Sequence, residues 1–204
     1  MRKSLLVLLV GLVLLATGCA TTSKHMAVTA PTATDMTLAE NEAAIVFLRP
    51  SNLGAAIQAP IVKVEANNAI LFVGIASAQT KILYRTTPGE HTFVVGGESG
   101  RKLAATLDGG KFYYVIVDPS MGVFKARFSL IPVTSQNLLE EDFKKKLGKC
   151  DWVVPSASAN TWFLDNKSNL LEKASIAEEK FMKASPSDRE VIVPQYGVAR
   201  PVTP

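Results

Sequence analysis

The chain is poor in the side chains that carry chemistry. Among 204 residues there are two histidines and two cysteines, too few for a histidine-rich zinc site from one chain or for a disulfide-stapled scaffold. A mixed site with carboxylates stays open. No apolar run approaches the ~20 residues that span a hydrocarbon core of about 30 Å. The longest, Leu5 to Ala16, is twelve residues broken by Gly11, and as a helix it reaches only about 18 Å. An excess of one charge is also missing. Lys and Arg number 22 against 18 Asp and Glu, so nothing in the charge points to nucleic acid. With 13 Gly, 11 Pro and 48% hydrophobic residues, the chain is neither collagen-like nor disordered along its length. The length fits one domain, or one domain with appendages.

The motifs of catalysis fail one by one. Gly96-Gly97-Glu98-Ser99-Gly100 is glycine-rich, but a nucleophile elbow needs G-x-S-x-G, and Ser99 is followed directly by Gly100. It also lacks the Gly-Lys-Ser/Thr of a phosphate-binding loop. Asp165, Lys167 and Asn169 resemble the start of a calcium loop, yet lysine stands where an oxygen ligand belongs and Leu170 occupies the glycine position. No catalytic residue, metal site or cofactor is expected. Asp118, Asp151 and His91 are the polar groups least implausible in a cleft.

The N-terminus carries the strongest signal. Arg2 and Lys3 precede the apolar run, and the small residues Thr17 and Gly18 follow it, which is the pattern of an export signal. Leu15-Ala16-Thr17-Gly18-Cys19 resembles the lipobox of bacterial lipoproteins. That resemblance implies cleavage between Gly18 and Cys19, a diacylated (palmitate-type) Cys19 thiol and an acylated amine. Two or three acyl chains hold a protein on a membrane far more firmly than one. Ala16 stands where leucine is commonest, which keeps two alternatives open: an ordinary signal peptide cut near Ala20, or an uncleaved anchor. Ala20 is not the aspartate that favours inner-membrane retention in such lipoproteins, so the expected location is the outer membrane, facing the periplasm.

Residues 19–42 show no sustained periodicity and read as a flexible tether spanning roughly 25–30 Å, with His25 solvated within it. Apolar runs then alternate with turn signals. The expected strands are Ala44–Leu48, Ile61–Glu65, Ala69–Val73, Lys81–Thr86, His91–Val95, Lys102–Leu107, Lys111–Asp118 and one after Pro119-Ser120-Met121-Gly122 that places Phe124, Ala126, Phe128 and Leu130 on one face. Phe-Tyr-Tyr-Val-Ile-Val in the seventh is apolar on both faces and reads as central. Seven or eight short strands without long helices between them predict a mainly β fold, an antiparallel β-sandwich over 43–133. Residues 134–204 read as a helical extension with two helices and a tail. Asn137 with Glu140 resembles a capping box that opens the first, and Gly148 stops it. Glu140, Glu141 and Asp142 offset Lys144, Lys145 and Lys146 at i, i+4. The second is predicted over 168–184, with Leu170, Ala174, Ala177 and Phe181 as its stripe. Val191-Ile192-Val193 adds an edge strand before the end frays.

Once Cys19 is lipidated, Cys150 is the remaining thiol. In an oxidising compartment it is buried beside Trp152, with an intermolecular disulfide as the alternative and catalysis as a remoter one, since no histidine or second cysteine is near in sequence to activate it. Trp152, Trp162 and Phe163 read as core, with an exposed stacking platform as the alternative.

Three segments together, Ala44-Ile45-Val46-Phe47-Leu48-Arg49-Pro50, Thr86-Thr87-Pro88-Gly89-Glu90-His91-Thr92-Phe93 and Lys111 to Val117, resemble a bacterial lipoprotein family whose β-sandwich domain has no known function. The Pro-Gly-x-His turn is also similar to that of PEGA-like surface domains. The resemblance covers about 90 residues and implies no catalytic residues. The expectation is a lipid-anchored cell-envelope protein that binds, builds or assembles without catalysis, its partners being the membrane and another envelope protein or a second copy of itself. The alternative is an envelope hydrolase or ligand-binding protein. Without Arg2 and Lys3, 20 basic residues face 18 acidic ones, so the mature body is nearly neutral.

Overall fold

A computed structural model describes residues 22–122 and 126–204. The signal segment 1–18, the cleavage pair Gly18 and Cys19, and Phe124 of the last expected strand lie outside the described residues.

Eleven strands are described: β1 (Met26–Val28), β2 (Ala43–Arg49), β3 (Ala59–Val64), β4 (Ile70–Ala76), β5 (Thr80–Thr86), β6 (Gly89–Val95), β7 (Arg101–Leu107), β8 (Lys111–Met121), β9 (Ala126–Pro132), β10 (Asp151–Pro155) and β11 (Glu190–Ile192). They form a six-stranded sheet in the order β1-β10-β5-β2-β8-β9 and a five-stranded sheet in the order β11-β7-β6-β3-β4. Two α-helices follow the hairpins, α1 (Glu141–Gly148) and α2 (Ala159–Lys183).

The period-2 alternation of β2 explains how the layers stack. Ala43, Ile45 and Phe47 point between the sheets, where they meet Ile61, Phe93, Val95, Leu103, Tyr113, Val115, Phe128 and Leu130. Ala44, Val46 and Leu48 point the other way, onto Phe143 and Leu147 of α1 and onto Tyr114. A third cluster joins Val62, Ile70 and Val94 of the five-stranded sheet to Phe163, Leu170 and Ala177 of α2. The order is therefore α1, sheet, sheet, α2. β2 is covered on both sides and apolar from Ala43 to Leu48, and each large apolar side chain in it represents roughly 2–3 kcal/mol of burial.

The fold is mainly β, but the sheets are mixed rather than antiparallel. β2 pairs with β8 in parallel, β10 with β5, and β11 with β7. Turn residues report only which neighbours along the chain form hairpins, and these three pairs join segments far apart in sequence. The strand count exceeds eight for the same reason. β1, β10 and β11 are short pieces that gain their order from the sheets they extend.

Several boundaries also differ. β8 runs through Pro119 to Met121 instead of turning there. Its pairing with β2 ends at Ile116, so a proline beyond that point does not interrupt a ladder on both sides. α2 starts at Ala159, nine residues before the predicted start. Its first turns contain Trp162 and Phe163, weak helix formers that are held by packing against Phe72 at ring distances of 5.7 and 5.6 Å. Phe181 is not part of the buried stripe. Asn137 sits in a short 3-10 turn and its backbone N–H donates to Thr134 Oγ1 at 3.2 Å, so Thr134 takes the capping role expected of Asn137.

From Thr22 onward the segment expected as a tether packs on the body, and so does the expected helical extension. Met26 is 5% exposed and enters the central core, and β1 pairs with β10. His25 is not a solvated linker residue: its Nδ1 lies 2.9 Å from Ser158 Oγ and its ring 5.7 Å from that of Trp162. β10 lies between β1 and β5, and β11 edges the second sheet. The tail does not fray after β11, since Val198 bridges Phe112 and the Val202 N–H donates to Tyr114 Oη at 2.7 Å.

Candidate functional site

The two ends of the sandwich differ in chemistry. One end carries the turn after β4 and the loop after β2, which is organised by Arg49. This side chain is fully buried. Nη1 donates to Ile57 O at 2.6 Å and Ala76 O at 3.2 Å, and Nη2 donates to Leu53 O at 2.9 Å and Gly54 O at 2.8 Å. Its carbon Cζ stands 4.9 Å from the centre of the Phe128 ring, and Nε has no hydrogen-bond partner among the described residues. Desolvation pulls its pKa down, but a guanidinium remains charged in proteins. The charge is held by carbonyl dipoles rather than a carboxylate, which ties the 50–58 loop to the sheet.

The opposite end opens into a groove of about 670 Å³ that reaches the flank of α2 and contains Lys63, Glu65, Glu90, His91, Lys102 and Glu178. Paired residues share a face of a sheet. Lys63 is opposite Phe93 and His91 is opposite Ala105, so both side chains stand on the interior face and line the mouth where the sheets part. Lys63 pairs with Glu65 at 3.0 Å, and Lys102 with Glu178 at 2.6 Å. His91 Nε2 and Thr87 O are 2.7 Å apart, so that nitrogen donates and Nδ1 keeps its lone pair. Burial, with a smaller contribution from the Lys63 charge, lowers the His91 pKa, which favours the neutral ring at neutral pH. The groove is open, and its lining mixes charges of both signs. That suits an extended polar segment held by hydrogen bonds better than a small apolar ligand.

The three polar candidates are not brought together. His91 lies in the groove. Asp118 is exposed on β8, beside a separate depression shared with Asp142, Lys145, Lys146 and Lys149. Asp151 begins β10, where it pairs with Thr80. Among the described residues no group of three or more His, Cys, Asp or Glu could hold a metal ion.

Cys150 lies inside. It is 3% exposed, donates from Sγ to Lys146 O at 3.4 Å, and burial pushes its pKa up to about 11. An intermolecular disulfide would require this thiol to leave the core. Its neighbour Lys81 is also buried; Nζ donates to Leu147 O at 2.8 Å at the C-terminal end of α1 and sits 4.8 Å from the centre of the Trp152 ring. Desolvation lowers the Lys81 pKa, while the helix end favours the cation. Trp152, Trp162 and Phe163 pack against the hydrophobic clusters: Trp152 over α1, Phe163 under α2, and Trp162 where the central and α2 clusters meet.

Sequence reasoning missed Arg49 and Lys81 as buried cations and missed the groove itself. The alternation of Val62 and Val64 with Lys63 and Glu65 was the available signal, since it separates the α2 face from the interior face. It did not show that the sandwich opens at Lys63. Among the described residues no helix is long and apolar enough to cross a membrane. No protein-family model, curated protein or solved structure matches this chain.

Proposed function

We propose that the chain is a lipid-anchored cell-envelope protein, held on the outer membrane through acylated Cys19 and facing the periplasm, whose body binds another envelope component or a second copy of itself without converting it. The observation that carries this reading is the register of the first nineteen residues: a basic start, a twelve-residue apolar run, small residues, then cysteine. Each feature alone is common. Their order and spacing are what an export signal followed by lipid attachment requires.

The binding part of the proposal is supported by the open, mixed-charge groove, whose lining of Lys63, Glu65, Glu90, Lys102 and Glu178 suits a polar partner. Growth with radiolabelled palmitate tests the anchor. The wild type is expected to be labelled and Cys19→Ser is expected to lose the label. A Cys19→Ser protein that still labels would contradict the assignment.

A further inference from the structure

Resting on the Cys19 reading, we infer that the end of the sandwich bearing Ser77 lies on the bilayer and inserts Leu53, Ile57 and Met121 into its interface.

The argument starts from where the described chain ends. The Ser23 N–H donates to Ser77 Oγ at 3.0 Å, and Ser23 is 1% exposed. Only Ala20, Thr21 and Thr22 separate it from Cys19. Even fully extended, that stretch spans about 14 Å. The polar headgroup layer itself is about 5–7 Å deep on each side of the hydrocarbon, and acyl chains on Cys19 hold that residue at the boundary. The body therefore cannot stand off the membrane, and the part nearest the lipid is the neighbourhood of Ser77.

A continuous set of contacts connects that neighbourhood to three exposed apolar side chains. Ala76, next to Ser77, accepts from Arg49, and the same guanidinium holds the carbonyls of Leu53, Gly54 and Ile57. A Cβ placed on Gly54 would lie 3.8 Å from Ala126 Cβ, and Ala126 is the strand partner of Met121. Leu53 is 49% exposed, Ile57 39% and Met121 81%. Leu53 and Ile57 lie on the loop after β2 and Met121 at the end of β8, and among the described residues they are exposed. Apolar side chains on rigidly held loops beside a lipid attachment point fit the headgroup boundary, where burial of each contributes favourably. Exposed Lys24, next to Ser23, and Lys149, beside Pro50 and Ser51, can meet lipid phosphates at this end, and exposed Asp151 offsets part of that attraction. The opposite end, with the His91 groove, then faces away from the membrane and is open to a partner.

The test uses the full acylated protein with Cys150→Ala, reconstituted in phosphatidylethanolamine–phosphatidylglycerol vesicles. An environment-sensitive fluorophore is attached at Leu53→Cys, at Met121→Cys, or at Thr87→Cys on the opposite end. The first two are expected to show a blue shift, a gain in intensity and quenching by spin-labelled lipid, and the third none of these. If the probes at 53 and 121 behave as in water while palmitate labelling of the same preparation is intact, the orientation is wrong and the anchor stands. If labelling is absent, the anchor reading fails and this inference falls with it.

Discussion

Cys150 shows how burial becomes a measurable pH dependence. Its thiol is pushed from an ordinary 9.0 up to about 11, first by desolvation and then by the Asp151 charge, against an opposing pull from Lys81. In the unfolded chain the thiol loses its proton near 9.0, whereas the folded chain retains it. The native state then binds more protons than the unfolded state, so stability is complete below about pH 9 and declines as pH rises toward about 11, by up to about 1.4 kcal/mol per pH unit. Tyr114, raised from 10.0 to about 12 by burial, joins only at higher pH. Urea unfolding under reducing conditions, followed from about pH 9 to about pH 10, is expected to show a steeper fall for the wild type than for Cys150→Ala. Equal slopes would contradict the burial of the thiol. The residue types needed for this were visible in Lys149-Cys150-Asp151-Trp152, but which fate the thiol takes was not, because the residues that cover it come from β2, β8 and α1.

Elements were legible where their own sequence period decides their packing. β2 and β8 are apolar on both faces and lie between two layers, and β5, β6 and β7 follow their turn signals to within a residue or two. What was not legible depends on partners remote in sequence. The parallel pairs carry no local mark, Met26–Val28 has no strand character outside the β10 ladder, and the first turns of α2 are helical because Trp162 and Phe163 find Phe72. The contact between α2 and the β6–β7 turn depends on Gly100. A Cβ there would come within 2.1 Å of the Lys173 backbone carbonyl oxygen, a clash with main chain that side-chain repacking cannot relieve. Gly100→Ala is expected to lower stability by about 1–3 kcal/mol, read as a lower urea midpoint with an unchanged slope. A midpoint equal to that of the wild type would show that α2 is not seated as described. The glycine-rich stretch 96–100, unproductive as a catalytic motif, has at Gly100 a packing role of this kind.

At the scale of the whole molecule, the short distance from Cys19 to Ser23 would give the protein a direction if Cys19 is acylated as proposed. The expected tether of residues 19–42 would have let the body tumble above the membrane, whereas with Ser23 bonded to Ser77 the acylated protein would present one end to lipid and the groove end to the periplasm. The proposed anchor is a reading of sequence alone, because the patterns that resemble an export signal and a lipobox are local. Sequence could not carry the direction, because the position of Ser23 depends on Ser77, Met26 and the β1–β10 ladder. The most direct check on the account is mass spectrometry of the N-terminal tryptic peptide of protein extracted from membranes. The account predicts that the peptide ending at Lys24 begins at Cys19 and carries a diacylglyceryl group on sulfur. An unmodified peptide, or one beginning anywhere other than Cys19, would contradict it.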